Sequence, residues 1–222
     1  TVIDPLVQAG YLQWSTSSEI VDAFVAWEAR QEAKRDSIFT YIPSESAGER
    51  GIAAFIRFPR QGRFGASAPV VVYVPGGFGG EGLSTQGAKL SEQGFIELYF
   101  NFPGSGRPGT RSGGTYDTRG IQSINALKDV IRFGMGLTTD STGNRLADYS
   151  ETITPLQNNV GLVGWSNGGN ATLAAAGKHA QALSDLAWIV NWESPVGDGM
   201  PTAEAGAKGG ESSGNPDTNP AY

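Results

Sequence analysis

The sequence predicts an α/β fold: a doubly wound, mostly parallel sheet entered through an N-terminal antiparallel hairpin. Three observations carry that expectation. From residue 68 onward, short apolar runs recur as "APVVVYV", "FIELYFNF", "NVGLVGW" and "LAWIVNW". They are close to continuously apolar, as strands buried on both faces must be. Helix-like or glycine-rich stretches separate them, as crossover connections require. Before residue 68 the pattern differs, with two apolar segments flanking a polar turn.

Each element has its local reason. Residues 16–35 open with Thr16-Ser17-Ser18-Glu19, a spacing in which hydroxyl and carboxylate can satisfy each other's backbone donors. Ile20, Phe24 and Trp27 follow at helical spacing, which predicts an amphipathic helix. "SIFTYI" and "GIAAFIRF" around "SESAGER" predict the hairpin. After the strand at 68–74, "LSTQGAKLSEQ" reads as a helix, as does "TRGIQSINALKDVIRF" with Ile121, Ile124, Leu127 and Ile131 on one face. Residues 138–157 are polar and are expected to form a surface connection. "GGNATLAAAGKHAQAL" is the last helix and "LAWIVNW" the sixth and last strand. The expected organisation is a core over residues 1–198. Residues 199–222, rich in glycine, proline and serine, are then a loop, a cap insertion or a disordered tail.

Composition excludes several function classes. A chain of 222 residues is most simply one domain with a sizeable core. No apolar run approaches the roughly 18 residues of a spanning helix, so no membrane role is expected. A net charge of -6 leaves no basic stripe for phosphates, so nucleic acid is not an expected partner. The chain has no cysteine and one histidine, His179, which removes thiolate chemistry and leaves too few ligands for a zinc site. No metal and no cofactor are called for. Thr1 follows no initiator methionine, as processing or trimming would leave, which tilts the expectation to secretion over the cytoplasm.

The informative stretch is "VGLVGWSNGG", with Ser166 inside Gly164-Trp165-Ser166-Asn167-Gly168. As a bare pattern G-x-S-x-G says little, because 32 glycines give about 0.4 chance matches. Gly210-Glu211-Ser212-Ser213-Gly214 also fits, in a polar tail with no strand before it. Ser166 has the context that the other serine lacks: an apolar strand before it and a helix after it. A serine on such a tight turn is held in strained geometry, and small residues at Gly164 and Gly168 let strand and helix close around it. The helix start also aims N–H groups and its positive dipole end at an oxyanion formed there. Acyl transfer needs such donors. One is the N–H of Asn167, and others come from "VYVPGGFGGEG", where Gly76, Gly77 and Phe78 are candidates and Gly77 and Phe78 the first choice. Trp165, beside the serine, has a positional claim to line a substrate pocket; the other tryptophans are expected in the core.

On these residues, from about 37 to 198, the chain resembles the α/β-hydrolase superfamily, of the serine esterase or peptidase type. "PGGFGG" is similar to that family's H-G-G-G oxyanion loop, with Pro75 at the histidine place, and "GWSNGG" is similar to its nucleophile elbow. "NFPGSGRPGTRSGGTYDTRG" resembles the loop after the fourth strand in dienelactone-hydrolase-like and prolyl-peptidase-like members. The resemblance implies an eight-stranded sheet and cleavage of an ester or amide through an acyl-enzyme. Pro75 cannot supply the loop-bracing hydrogen bonds of a histidine. Within the third stretch, Asp117 is expected to cap the following helix and Arg119 to lie on its solvated face or pair locally.

A serine needs a base. His179 lies on the same predicted helix as Ser166, some 20 Å away at about 1.5 Å per residue, and cannot be that base. In the family the acid follows the sixth or seventh strand and the histidine the eighth. Only Glu193 and Asp198 have a positional claim to the acid, and for Glu193 a structural hydrogen bond is the default reading. "LAWIVNW" would also expose apolar side chains and unpaired backbone at a sheet edge. The expectation is therefore a serine hydrolase acting on a small-molecule or peptide ester or amide. Its histidine comes from a further chain or segment that completes the sheet beside residues 186–192. The alternative is a noncatalytic α/β-hydrolase-like binding or assembly protein.

Overall fold

The computed structural model describes residues 37–77, 79–82 and 89–194. The chain divides into two compact units, residues 1–37 and 38–222, and apart from Ser37 the described residues belong to the second. The helix expected at 16–35, most of that expected at 83–93, Phe78, Asp198 and the 199–222 segment lie outside the described residues.

Six strands form one mixed sheet: β1 (Ser37–Ser44), β2 (Gly48–Arg57), β3 (Ser67–Val74), β4 (Ile96–Phe100), β5 (Thr154–Trp165) and β6 (Leu186–Trp192). Their order is β1-β2-β4-β3-β5-β6. A three-residue 3₁₀ turn joins β1 to its neighbour β2. β2 runs antiparallel to β4, with Ala54 opposite Phe100, while β3–β4, β3–β5 and β5–β6 are parallel. The α/β class and its partly antiparallel start are thus the observed ones. Two α-helices are described, α1 (Ile121–Gly134) and α2 (Asn167–Lys178).

Side-chain alternation divides the sheet into two faces. On one, Ile56, Val70, Val72, Leu98, Phe100, Val160 and Leu162 form a core with Ile124, Leu127, Val130 and Ile131 of α1 and Ala171 and Ala175 of α2. Each large side chain fully buried there stabilises the fold by about 1.5–3 kcal/mol. The helix α1 starts where it does because Asp117 accepts hydrogen bonds from the N–H groups of Gln122 (2.7 Å) and Ser123 (3.2 Å), as expected of that residue.

The other face centres on Val71, Tyr73 and Tyr99. It also buries Glu97, which pairs with Arg57 Nη1 at 3.1 Å and accepts hydrogen bonds from Tyr73 Oη (3.2 Å) and the Leu90 N–H (2.8 Å). Burial first, and then the negative Glu97, hold both phenols well above their ordinary range.

Residues 138–157 are not the plain surface connection expected of them. Thr154 and Pro155 already pair with Ser67 and Ala68, so β5 begins five residues before "NVGLVGW", with a register break before Val160. The preceding loop closes around the buried carboxylate of Asp140. It accepts hydrogen bonds from the hydroxyls of Thr40, Tyr149 and Thr142 and from the N–H groups of Thr142 and Asn144. Burial alone would raise its pKa; these donors reverse the sign and lower it. A polar composition hid a buried anchor.

Candidate active site

Ser166 stands between the last residue of β5 and the first of α2, with φ 51° and ψ -125°. A non-glycine residue seldom adopts this backbone, and holding it there costs of order 1–3 kcal/mol. The strain is sustained by packing. A Cβ at Gly164 would lie 2.6 Å from Gly169 Cα, and one at Gly168 would lie 2.3 Å from the Val74 carbonyl oxygen. On the far side, the Ser166 N–H donates to the Trp192 carbonyl at 2.7 Å, which ties the turn to the end of β6. Ser166 remains partly accessible, and the N-terminus of α2 begins at the next residue.

The glycine loop after β3 comes against this turn. A Cβ at Gly76 would lie 2.4 Å from the Trp165 carbonyl oxygen and 3.3 Å from Ser166 Cβ, so only glycine allows the approach. Gly77 adopts φ 76°, and its carbonyl accepts a hydrogen bond from Asn167 Nδ2 at 3.2 Å. The structure therefore brings Ser166, Asn167 and Gly77 together. Asn167 also has a role that the sequence did not suggest: its side chain holds the loop while its backbone opens the helix.

Arg119 is where the sequence expectation fails. It is neither solvated nor a local partner but 1% exposed, with Nη1 donating to the Gly77 carbonyl (2.9 Å) and Nη2 donating to those of Pro75 (2.9 Å) and Gly79 (3.0 Å). Its guanidinium lies 5.7 Å from the centre of the Phe102 ring. The reason is backbone geometry: Thr118 and Arg119 have φ of 54° and 60°, which turns the side chain away from the helix it precedes. The loop is fixed at its other end too, where the Phe102 N–H donates to the Gly80 carbonyl (2.8 Å) and the Gly82 N–H donates to Asn101 Oδ1 (2.8 Å). Pro75 cannot brace the loop; Arg119 does.

Trp192 corrects the expectation that the tryptophans other than Trp165 lie in the core, and Trp165 beside the serine is exposed as well. The two stack with ring centres 5.6 Å apart, Trp165 being 42% and Trp192 55% exposed. Val190, on the same face of β6, is also exposed, and β6 is a terminal strand of the described sheet. Glu193 follows with φ 53°, its carboxylate exposed and accepting no hydrogen bond from a described residue. The structural bond expected for it is absent among the described residues. Thr118, Arg119, Ser166 and Glu193 are all the described non-glycine residues with positive φ; Ser166 and Glu193 directly follow the carboxyl ends of β5 and β6, and Arg119 holds the loop after β3.

His179 lies at the opposite end of α2, its Nε2 3.0 Å from Asn125 Oδ1 of α1. Burial, and then repulsion by Lys128 and Lys178, lower its pKa.

No protein-family profile and no curated protein matches the sequence. Similar solved structures include a thermophilic carboxylesterase cloned from a metagenomic library (16% identity, TM-score 0.45, covering 86% of this chain and 60% of that one). Others are a Pyrobaculum calidifontis esterase (16%, 0.44, 84% and 56%) and oligopeptidase B from Trypanosoma brucei (14%, 0.41, 70% and 19%). The chain spans 60% or less of the length of each.

Proposed function

We propose that the chain carries the nucleophile half of an α/β-hydrolase-type serine hydrolase, cleaving a carboxylic ester or amide through an acyl-enzyme on Ser166. The observation that carries this reading is the backbone of Ser166, φ 51° and ψ -125°, held by close-packed glycines at a strand-to-helix turn and left accessible. Such strain has no structural use at a plain turn, where glycine would adopt it without cost.

The chemistry follows in two halves. A histidine base takes the Ser166 proton as Oγ attacks the carbonyl carbon. The oxyanion so formed accepts hydrogen bonds from the Asn167 N–H and from Gly77 or Phe78. The same histidine returns the proton to the leaving alcohol or amine as its bond to carbon breaks. Water then repeats the sequence and releases the acid. Glu193 is a candidate partner for the histidine, and Trp165, stacked on Trp192, offers an apolar wall beside the nucleophile.

The histidine itself belongs to a chain or segment outside these 222 residues that pairs with β6 and covers Val190 and Trp192. An edge strand with these side chains exposed and no charge or proline inside it favours such pairing. A second reading, a noncatalytic protein of the same fold, rests on the position of His179 at the far end of α2. A fluorophosphonate probe separates the two. With the base-supplying polymer present, the serine-hydrolase reading expects covalent labelling of Ser166 that Ser166→Ala abolishes. Folded protein that resists labelling would overturn it.

A further inference from the structure

We propose that Arg119 is the positioning residue for the oxyanion site, orienting the peptide planes of the glycine loop as a single buried guanidinium. The inference rests on the nucleophile assignment of Ser166. It adds a function for a residue that touches no substrate.

The geometry is specific. Arg119 donates to alternate carbonyls, those of Pro75, Gly77 and Gly79, at 2.9, 2.9 and 3.0 Å. In a trans peptide the C=O and N–H point in opposite directions. A cation that draws these carbonyls to one side therefore turns the N–H groups of the same peptides to the other. A loop of this composition has little stiffness of its own, since three of the five residues 75–79 are glycine and glycine samples both signs of φ. Its amides can be preorganised only from outside, and preorganised donors are what stabilise a developing oxyanion.

Three further features make this an anchor rather than an incidental pairing. Phe102 lies beneath the guanidinium, Asn167 Nδ2 shares the Gly77 carbonyl at 3.2 Å, and the chain accepts positive φ at both Thr118 and Arg119 to deliver the side chain. Lysine could not replace it, because one ammonium lacks the planar fork that reaches separate acceptors.

The test compares two substrates that differ in one atom, p-nitrophenyl acetate and its thiono analogue, in the full-length chain or complex that supplies the base. Sulfur accepts hydrogen bonds poorly, so a working oxyanion site favours the oxygen ester. Arg119→Lys and Arg119→Gln are expected to slow the oxygen ester by about 100-fold, the scale of losing one oxyanion donor, and the thiono ester far less. The preference for oxygen then falls at least tenfold. Partial unfolding lowers both rates equally and leaves the ratio alone, so a merely structural role would not produce this result. Phe102→Leu, which keeps all three hydrogen bonds but removes the ring, is the milder variant should the Arg119 variants fail to fold. It is expected to lower the ratio about threefold.

An unchanged ratio in the folded variants, with hydrolysis still abolished by Ser166→Ala, overturns the role of Arg119 alone. Hydrolysis and fluorophosphonate labelling that survive Ser166→Ala overturn the nucleophile assignment and the Arg119 inference with it.

Discussion

Two loops of this protein are each organised around one buried charge, with opposite chemical effect. After β3, the cation Arg119 gathers the carbonyls of Pro75, Gly77 and Gly79. In the connection that enters β5, the anion Asp140 gathers N–H and O–H groups from Thr40, Thr142, Asn144 and Tyr149. A cation that collects carbonyls leaves amide hydrogens facing away from it, available to something negative. An anion that collects donors consumes them and closes the loop on itself. On the proposed reading, the sign of the buried charge separates a loop prepared for chemistry from a loop that only has to hold.

The sharpest way to break that contrast is to disturb the turn that the first loop serves. Gly168→Ala places a methyl 2.3 Å from the Val74 carbonyl oxygen and 2.7 Å from that of Pro75. The expected result is a fall of 100-fold or more in fluorophosphonate labelling of Ser166, with a loss of stability of about 1–3 kcal/mol by urea titration. Normal labelling in this variant would mean that the glycine loop and the turn are not coupled.

The second loop should respond in stability alone. Asp140→Ala leaves several donors without their acceptor, and a cost of about 3 kcal/mol is expected from denaturant unfolding. The rate per folded molecule should stay within twofold, and a larger change would show that the loop does more than hold. The carboxyl pKa is lowered in the folded protein, so its contribution is complete above the ordinary carboxylate range and lost as pH falls through the lowered value. Asp140→Asn should flatten the acid limb of a stability profile measured below about pH 4.

The smallest effect concerns His179. Its pKa is also lowered, so its contribution is present above the usual histidine value and declines as pH drops toward the lower folded one. His179→Gln should remove a shallow stability slope below about pH 6.5 and leave the pH profile of hydrolysis unmoved. A displaced kinetic pKa in that variant would return His179 to consideration as the base.

Much of this molecule is legible without coordinates. The run at 68–74 becomes a strand buried on both faces, as continuous apolar side chains require, and the run at 186–192 becomes a strand at the end of the described sheet. The turn at Ser166 could be anticipated because strand, small residues, serine and helix are contiguous. Its neighbours were less accessible. Asp140 sits in a polar stretch that gives no sign of burial, and its partner Thr40 lies 100 residues away. Trp192 is an ordinary core residue by type, yet it is exposed and stacked on Trp165.

By itself the sequence determined the class of fold, the strand-to-helix turn at Ser166 and the glycines that let backbone approach it, because each depends on neighbours along the chain. Tertiary structure alone decided that Arg119 holds the glycine loop, since the contacts join residues 40 to 44 positions apart. Positive φ at Thr118 and Arg119 is what turns the guanidinium inward. Local composition carries no record of such a choice: a buried charge goes where its partners converge, and convergence is a property of the packed chain.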